Sequence, residues 1–365
     1  MKFNRFLILS LVFALLASTT FAPATEACTR TLFTGSGQVV VTGRSMDWMQ
    51  DMQTDLWAFP RGMERNGAAG PNSPSWVSKY GSVTASAYNT ASADGMNEKG
   101  LVANMLYLAE SDYGSVGDKA PLSIGVWAQY VLDNYATVAE AVDGLRAEPF
   151  RIIAPKLPNG SAAQLHLSIS DPTGDSAIFE YIQGELVIHH GKQFQVMTNS
   201  PTYDKQLALN SYWEKIGGLK FLPGTNSAAD RFARASFLID AVPGKIDPNF
   251  IAAVPKQDFD NQAVSEVLSV VRAVSVPLGI TTPGQPNISS TLWRTVADQK
   301  NKVYYFDSAT TPNTFWVKME DLDFTKGAPV MKLPIAGGKY YSGNSAKEFV
   351  ATAPFKFLPA DPNSK

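Results

Sequence analysis

From Cys28 onward, apolar and polar positions come in short runs with the period of strands more often than of helices. Cys28–Phe33 and Gln38–Asp47 flank Thr34-Gly35-Ser36-Gly37, a tetrapeptide of turn formers, and together they predict a hairpin. Asp55–Pro60 and Ser82–Tyr88 read as extended, and Leu101–Leu108 as a buried strand after the turn Asn97-Glu98-Lys99-Gly100. Helical spacing appears at Leu122–Asn134 and at Val138–Arg146, the second entered through Thr137 as N-cap. Strands return at Gln164–Ser170, Ser176–Tyr181, Glu185–His190 and Gln193–Thr198. Helices are expected at Tyr203–Ile216, Ala228–Ile239 and Gln262–Val274, then strands at Trp293–Ala297, Lys302–Asp307 and Phe315–Lys318. Runs of like elements, rather than strict alternation, predict an α+β fold with antiparallel sheets. No repeat of solenoid period and no linker interrupts the pattern, which predicts a single domain over 28–365.

The first segment breaks the pattern. Lys2 and Arg5 precede Phe6–Ala17, an apolar run interrupted by Ser10 alone, and small residues follow up to Ala27. This is the layout of a secretory signal peptide over 1–27, its apolar run short for a membrane span of roughly 20 residues. Ala22-Pro23-Ala24 and Thr25-Glu26-Ala27 both resemble cleavage sites; a cut after Ala24 leaves 25–27 as a short pro-segment for later removal. A retained membrane anchor and a lipidated Cys28 are the other readings. Lipidation is disfavoured because Thr25 stands where such signals carry an apolar residue.

Composition narrows the classes. Of 365 residues 45% are hydrophobic and 11% aromatic, enough for a packed core. A net charge of −2 without a basic run argues against a nucleic-acid partner. One cysteine excludes an intramolecular disulfide, and three histidines (His166, His189, His190) make a poor zinc set, so neither metal nor cofactor is expected.

The single cysteine stands beside the proposed cleavage sites. A chain beginning at Cys28 carries a thiol and a free α-amine on one residue, and an amine of ordinary pKa about 7.7–8.0 is a general base suited to neutral pH. The bland alternative is an inert buried thiol. Gly43-Arg44-Ser45-Met46-Asp47-Trp48 closes the strand paired with the one Cys28 begins. Arg44 beside the sulfur would favour the thiolate, and Asp47 could accept from the amine; a structural salt bridge is the other reading. Strand alternation puts Arg44 and Asp47 on opposite faces unless a bulge intervenes.

Cys28-Thr29-Arg30, the Gly43–Trp48 strand end, Asn97-Glu98-Lys99-Gly100-Leu101, Thr198-Asn199-Ser200-Pro201-Thr202-Tyr203-Asp204 and Asp230-Arg231-Phe232-Ala233-Arg234 occur in that order. Together they resemble the choloylglycine hydrolase family, the penicillin V acylases and conjugated bile salt hydrolases among the N-terminal nucleophile hydrolases. The resemblance implies an αββα sandwich of two antiparallel sheets between helix layers. It implies Cys28 as nucleophile and base, Arg44 and Asp47 as its partners, and Arg231 in the charged shell, with Arg234 the lesser alternative. Asn199 would donate its side-chain amide to the oxyanion, with the Tyr107 backbone N–H as second donor; from the residues alone Asn199 could be a turn former and Tyr107 part of the core or the pocket wall. The reaction implied is hydrolysis of a linear amide through a thioester on Cys28. A homotetramer is implied as well.

Substrate is less defined. Tyr107 stands where bile salt hydrolases usually carry Asn and penicillin V acylases often carry Tyr. Trp48, Trp57, Phe59, Trp76 and Tyr80 could line an acyl pocket or simply pack the core. The expected order is a penicillin V acylase-like enzyme, with N-acyl homoserine lactone acylase activity second, and a bile salt hydrolase third. The rival class is a non-catalytic secreted lipoprotein binding a small ligand. The leader implies a periplasmic or secreted protein with no stable membrane insertion after processing. The sequons Asn159-Gly160-Ser161 and Asn287-Ile288-Ser289 are read as chance matches.

Overall fold

A computed structural model describes residues 28–155, 163–218, 220–280 and 289–362. The leader over 1–27, the sequon Asn159-Gly160-Ser161 and the Asn287-Ile288 part of the other lie outside the described residues. The hairpin expected at the start forms from the strands Thr29–Gly35 and Val39–Trp48, in register from Thr29 opposite Ser45 to Gly35 opposite Val39. It becomes part of a seven-stranded sheet in the order Val196–Met197, Thr29–Gly35, Val39–Trp48, Ser290–Asp298, Val303–Ser308, Thr314–Lys318, Gly343–Asn344. Pairing is antiparallel except at the last edge, where Phe315 runs parallel to Gly343.

The second sheet has nine antiparallel strands: Glu185–His190, Ser176–Ile182, Leu165–Ser170, Val102–Tyr107, Ala91–Asn97, Ser82–Ala87, Leu56–Phe59, Met331–Leu333 and Val350–Ala351. The two sheets face each other, bridged by Thr42 Oγ1 to Ser170 Oγ at 2.7 Å and by the Tyr304 hydroxyl on Asp94. Helices α1 (Ile124–Asn134) and α2 (Val138–Arg146) cover the nine-stranded sheet through Trp127, Val131 and Val142 against Leu167 and Phe179. On the opposite side α4 (Ala228–Ala241) and α5 (Phe259–Ala273) cover the seven-stranded sheet, while α3 (Tyr203–Ile216) packs beside α4. Helix, sheet, sheet, helix is the αββα sandwich expected. No helix among the described residues is long and apolar enough to cross a membrane.

Local chemistry explains most boundaries. Thr137 caps α2 by accepting from the Glu140 N–H, as its sequence position suggested. Asp258 accepts from the Asn261 N–H, so α5 begins at Phe259, ahead of the apolar spacing. The strand expected at Gln193–Thr198 shortens to Val196–Met197. Ala91–Asn97 was not foreseen as a strand: its small and polar residues show no alternation because both faces are covered. Close packing fits it: a Cβ on Gly95 would lie 2.7 Å from the Val83 carbonyl and 3.0 Å from Leu132 Cδ1. Gly43 has the same role on the other sheet, where a Cβ would strike Val271 Cγ2 of α5 at 2.5 Å. That contact lets α5 settle directly against the strand carrying Arg44, Met46 and Asp47.

Candidate active site

Cys28 precedes the first strand at the point where Val196–Met197 and the end of Val39–Trp48 converge on either side of it. Its side chain is buried. The Asp47 backbone N–H donates to Cys28 Sγ at 3.4 Å, and Arg44 Nη2 lies 4.0 Å from the sulfur. Met46 Sδ is another 4.0 Å contact. Burial pushes the thiol pKa up, opposed chiefly by the positive charge of Arg44.

Arg44 is fully buried between the sheets. Nη2 donates to the Met105 carbonyl at 2.8 Å, and the guanidinium stacks over Trp293 at 4.7 Å. Its acidic neighbour is Asp94, 3.9 Å from Nη1 and held by Asn104 Nδ2 at 2.6 Å. Strand alternation continues through Asp47; the irregularity lies in the partner strand, between Thr291 and Trp293. The Asp47 carboxylate accordingly departs from Arg44 and accepts from Thr291 Oγ1 at 2.5 Å and Ser45 Oγ at 3.4 Å. Burial raises its pKa to about 6, against the lowering pull of Arg231.

The acceptor at the Cys28 nitrogen is Asn199 Oδ1, at 2.6 Å, in place of the Asp47 carboxylate that the motif suggested. Arg231 Nη2 donates to the same oxygen at 2.8 Å, while Nη1 donates to the Cys28 carbonyl and to Thr29 Oγ1, both at 2.6 Å. With two donors on Oδ1, the amide nitrogen must point away, and Nδ2 donates to the Tyr107 carbonyl at 2.8 Å. Asn199 thus joins the two segments expected to supply the oxyanion donors. Arg231 projects from α4 into the site, whereas Arg234 turns away and ties down the Pro223 and Thr225 carbonyls at 2.7 Å. That geometry favours Arg231.

Beside the thiol lies a narrow, mostly apolar cavity of about 60 Å³, bordered by Arg44, Met46, Trp48, Met105 and Tyr107. Small residues, among them Ala91, Ser92, Ala93 and Gly125, widen it on the α1 side. Trp48 is thus placed at the cavity, its Nε1 donating to the Tyr88 hydroxyl at 2.9 Å. The other expected pocket aromatics are elsewhere. Trp57 and Phe59 stack at 6.0 Å in a separate cluster with Phe355 and Val330. Trp76 packs on Tyr130 and donates to Asp133 at 2.9 Å, and Tyr80 sits beneath the Lys99 ammonium. Met46 could have been found from sequence, since alternation places it on the Arg44 and Trp48 face; Met105 and the alanines come close only through sheet stacking. A broader depression of about 550 Å³ lies past Trp48, between Thr54, Leu292 and Ile335, but Cys28 is not in its wall. No group of three or more His, Cys, Asp or Glu side chains able to hold a metal occurs among the described residues.

Residues 28–331 match the family described as linear amide C–N hydrolases, choloylglycine hydrolase family. The chain is 46% identical over 359 residues to the penicillin V acylase of Pectobacterium atrosepticum, spanning 94% of this chain and 95% of that protein. Identity to the bile salt hydrolase/transferase of Clostridium perfringens is 29% over 242 residues, 59% of this chain and 69% of that protein. Among solved structures, penicillin V acylase from Agrobacterium tumefaciens is similar with TM-score 0.81 and 54% identity, covering 91% of this chain and 100% of that one. A mutant of the conjugated bile acid hydrolase from Clostridium perfringens shares the fold, with TM-score 0.69, 23% identity and coverage of 87% and 98%.

Proposed function

Because this chain belongs to the choloylglycine hydrolase family of linear amide C–N hydrolases, we propose that it works through an N-terminal Cys28 and cleaves penicillin V-type amides. It is an enzyme, which removes the non-catalytic binding protein from contention. The observation that carries the finer reading is the convergence on one residue: a buried thiol flanked by Arg44 and the Asp47 N–H, whose own nitrogen bonds Asn199.

The steps follow from those positions. The α-amine freed at Cys28 takes the thiol proton, and sulfur attacks the amide carbonyl. Negative charge on the carbonyl oxygen falls to the Asn199 amide and the Tyr107 N–H; a single such donor typically contributes about 10²–10³ in rate. The amine leaving group departs with the proton returned by the Cys28 amine, leaving a thioester. Water then attacks the thioester, activated by the same amine, and restores the thiol. Arg231 holds the Cys28 carbonyl and the Asn199 oxygen through both steps.

The narrow cavity with Trp48, Tyr107 and three methionines, Met46, Met52 and Met105, supports an aromatic or extended apolar acyl group. A phenoxyacetyl amide comes first, a fatty acyl homoserine lactone second. A conjugated bile salt is the alternative, supported by the more distant relative. The leader supports a periplasmic or secreted protein, and the family resemblance alone supports a homotetramer.

Intact mass of the purified protein, combined with hydrolysis of penicillin V, short- and long-chain acyl homoserine lactones and tauro- and glyco-conjugated bile salts, tests the reading. A mass beginning at unmodified Cys28 and preferential cleavage of penicillin V are expected, with no activity in Cys28→Ser. Full activity in that variant, or lipid on Cys28, would overturn it.

A further inference from the structure

His166 is a buried histidine to which the reaction assigns no role. On the strand Leu165–Ser170 both ring nitrogens are engaged: Nδ1 lies 2.9 Å from Glu180 Oε1 and Nε2 lies 2.9 Å from the Thr198 carbonyl. A carbonyl can only accept, so Nε2 bears a proton and donates it to Thr198. Glu180, equally buried on the neighbouring strand Ser176–Ile182, also accepts the Tyr203 N–H through both oxygens, at 3.2 and 3.0 Å. Tyr203 is the first residue of α3, and Thr202 before it provides no side-chain cap, so Glu180 acts as the missing cap from across the fold.

The pair therefore grips Thr198 on one side and Tyr203 on the other, the two ends of the turn that carries Asn199. Gln206 closes the turn from above, its Nε2 donating to the Asn199 and Ser200 carbonyls at 3.1 Å each. A buried ionisable pair seldom adds net stability over apolar residues of the same volume. Its distinctive contribution is direction, two hydrogen bonds that set where the turn lies.

We propose that His166 and Glu180 are positioning residues for the Asn199 side-chain amide, holding its turn from beneath so that the amide stays aligned with the reacting carbonyl. The proposal rests on the reading of Asn199 as an oxyanion donor. Because an oxyanion forms only after attack, misplacing the amide slows the chemical step and leaves substrate binding largely intact.

The test compares His166→Phe, Glu180→Gln, Asn199→Ala and the double variant His166→Phe/Asn199→Ala, with penicillin V as probe. His166→Phe keeps a ring and loses the bond to Thr198; kcat is expected to fall at least about tenfold with KM within about threefold of the wild type. Glu180→Gln can still accept from Tyr203 and donate to Nδ1, so it should retain kcat within about threefold. The double variant should lose little beyond Asn199→Ala, since both changes act through one amide. Where the Phe variant does not fold, His166→Asn, whose shorter amide stops short of Thr198, should give the same split. A folded His166 variant with wild-type kcat overturns the proposal, as do independent, multiplying losses in the double variant. Wild-type kcat in Asn199→Ala overturns instead the oxyanion reading beneath it.

Discussion

Arg231 and Asn199 meet at a single oxygen: Nη2 of the guanidinium donates to Asn199 Oδ1 at 2.8 Å, beside the Cys28 nitrogen at 2.6 Å. Two donors on one side of the amide decide which way its N–H groups point. A lysine offers one ammonium in place of the planar fork that reaches Asn199, Thr29 and the Cys28 carbonyl together. Arg231→Lys is expected to lower kcat by on the order of 10²-fold, the scale of losing one oriented oxyanion donor. A kcat within about threefold of the wild type on folded protein would refute this coupling.

Arg44 is the main charge working against burial at the thiol. Replacing it by Met leaves the desolvation in place and removes the opposing cation, so the Cys28 pKa should move further up. The pH dependence of iodoacetamide alkylation reads this directly: the midpoint for Arg44→Met should lie above that of the wild type. An unchanged or lower midpoint would show that Arg44 serves packing over Trp293 and not the sulfur.

Asp47 makes stability depend on pH with a definite sign. Its pKa rises from an ordinary 3.8 to about 6 on folding, so the folded state prefers the protonated acid. The stabilising contribution is complete below about pH 4 and is lost as pH rises through about 6. Relative to Asp47→Asn, which stays neutral, the wild type should lose on the order of 2–3 kcal/mol between pH 4 and pH 7. Chemical denaturation of both proteins at the two pH values checks it; a stability difference independent of pH would contradict the burial of a charge at this position.

Small side chains set the width of the cavity beside the thiol. Ala91→Leu, on the α1 side of that cavity, would fill much of about 60 Å³. KM for phenoxyacetyl and long acyl amides is expected to rise by about tenfold, in line with a few lost methylene contacts, while acetyl amides are affected less. Equal effects on all acyl sizes would place the acyl group outside this cavity.

Much of the site was legible in the sequence because its parts sit at strand ends and helix starts. The hairpin of Thr29–Gly35 and Val39–Trp48 was readable from its turn, and it alone brings Arg44 and Asp47 to Cys28. Alternation also anticipated that Arg44 and Asp47 part to opposite faces. What could not be read was which distant segment each polar group would meet. Nothing local says that the Cys28 nitrogen bonds Asn199 and not Asp47, because that choice is made where Val196–Met197 joins the sheet edge. The aromatics misled for a related reason. Trp57, Phe59, Trp76 and Tyr80 cluster near one another in sequence, but sheet stacking, which local pattern does not encode, sends them away from the thiol. The same stacking delivers Met105 and the plain stretch Ala91–Ala93 to the cavity wall.

Cys28 is gripped along its main chain, the nitrogen by Asn199 and the carbonyl by Arg231. The proposed cut before Cys28 would make that nitrogen a basic amine in a seat these two residues already form. On the proposed processing, maturation would turn an amide nitrogen into a basic amine while the groups that hold it stay the same. The proposed leader would then act as a chemical safety catch, silencing the nitrogen as a base until it is removed.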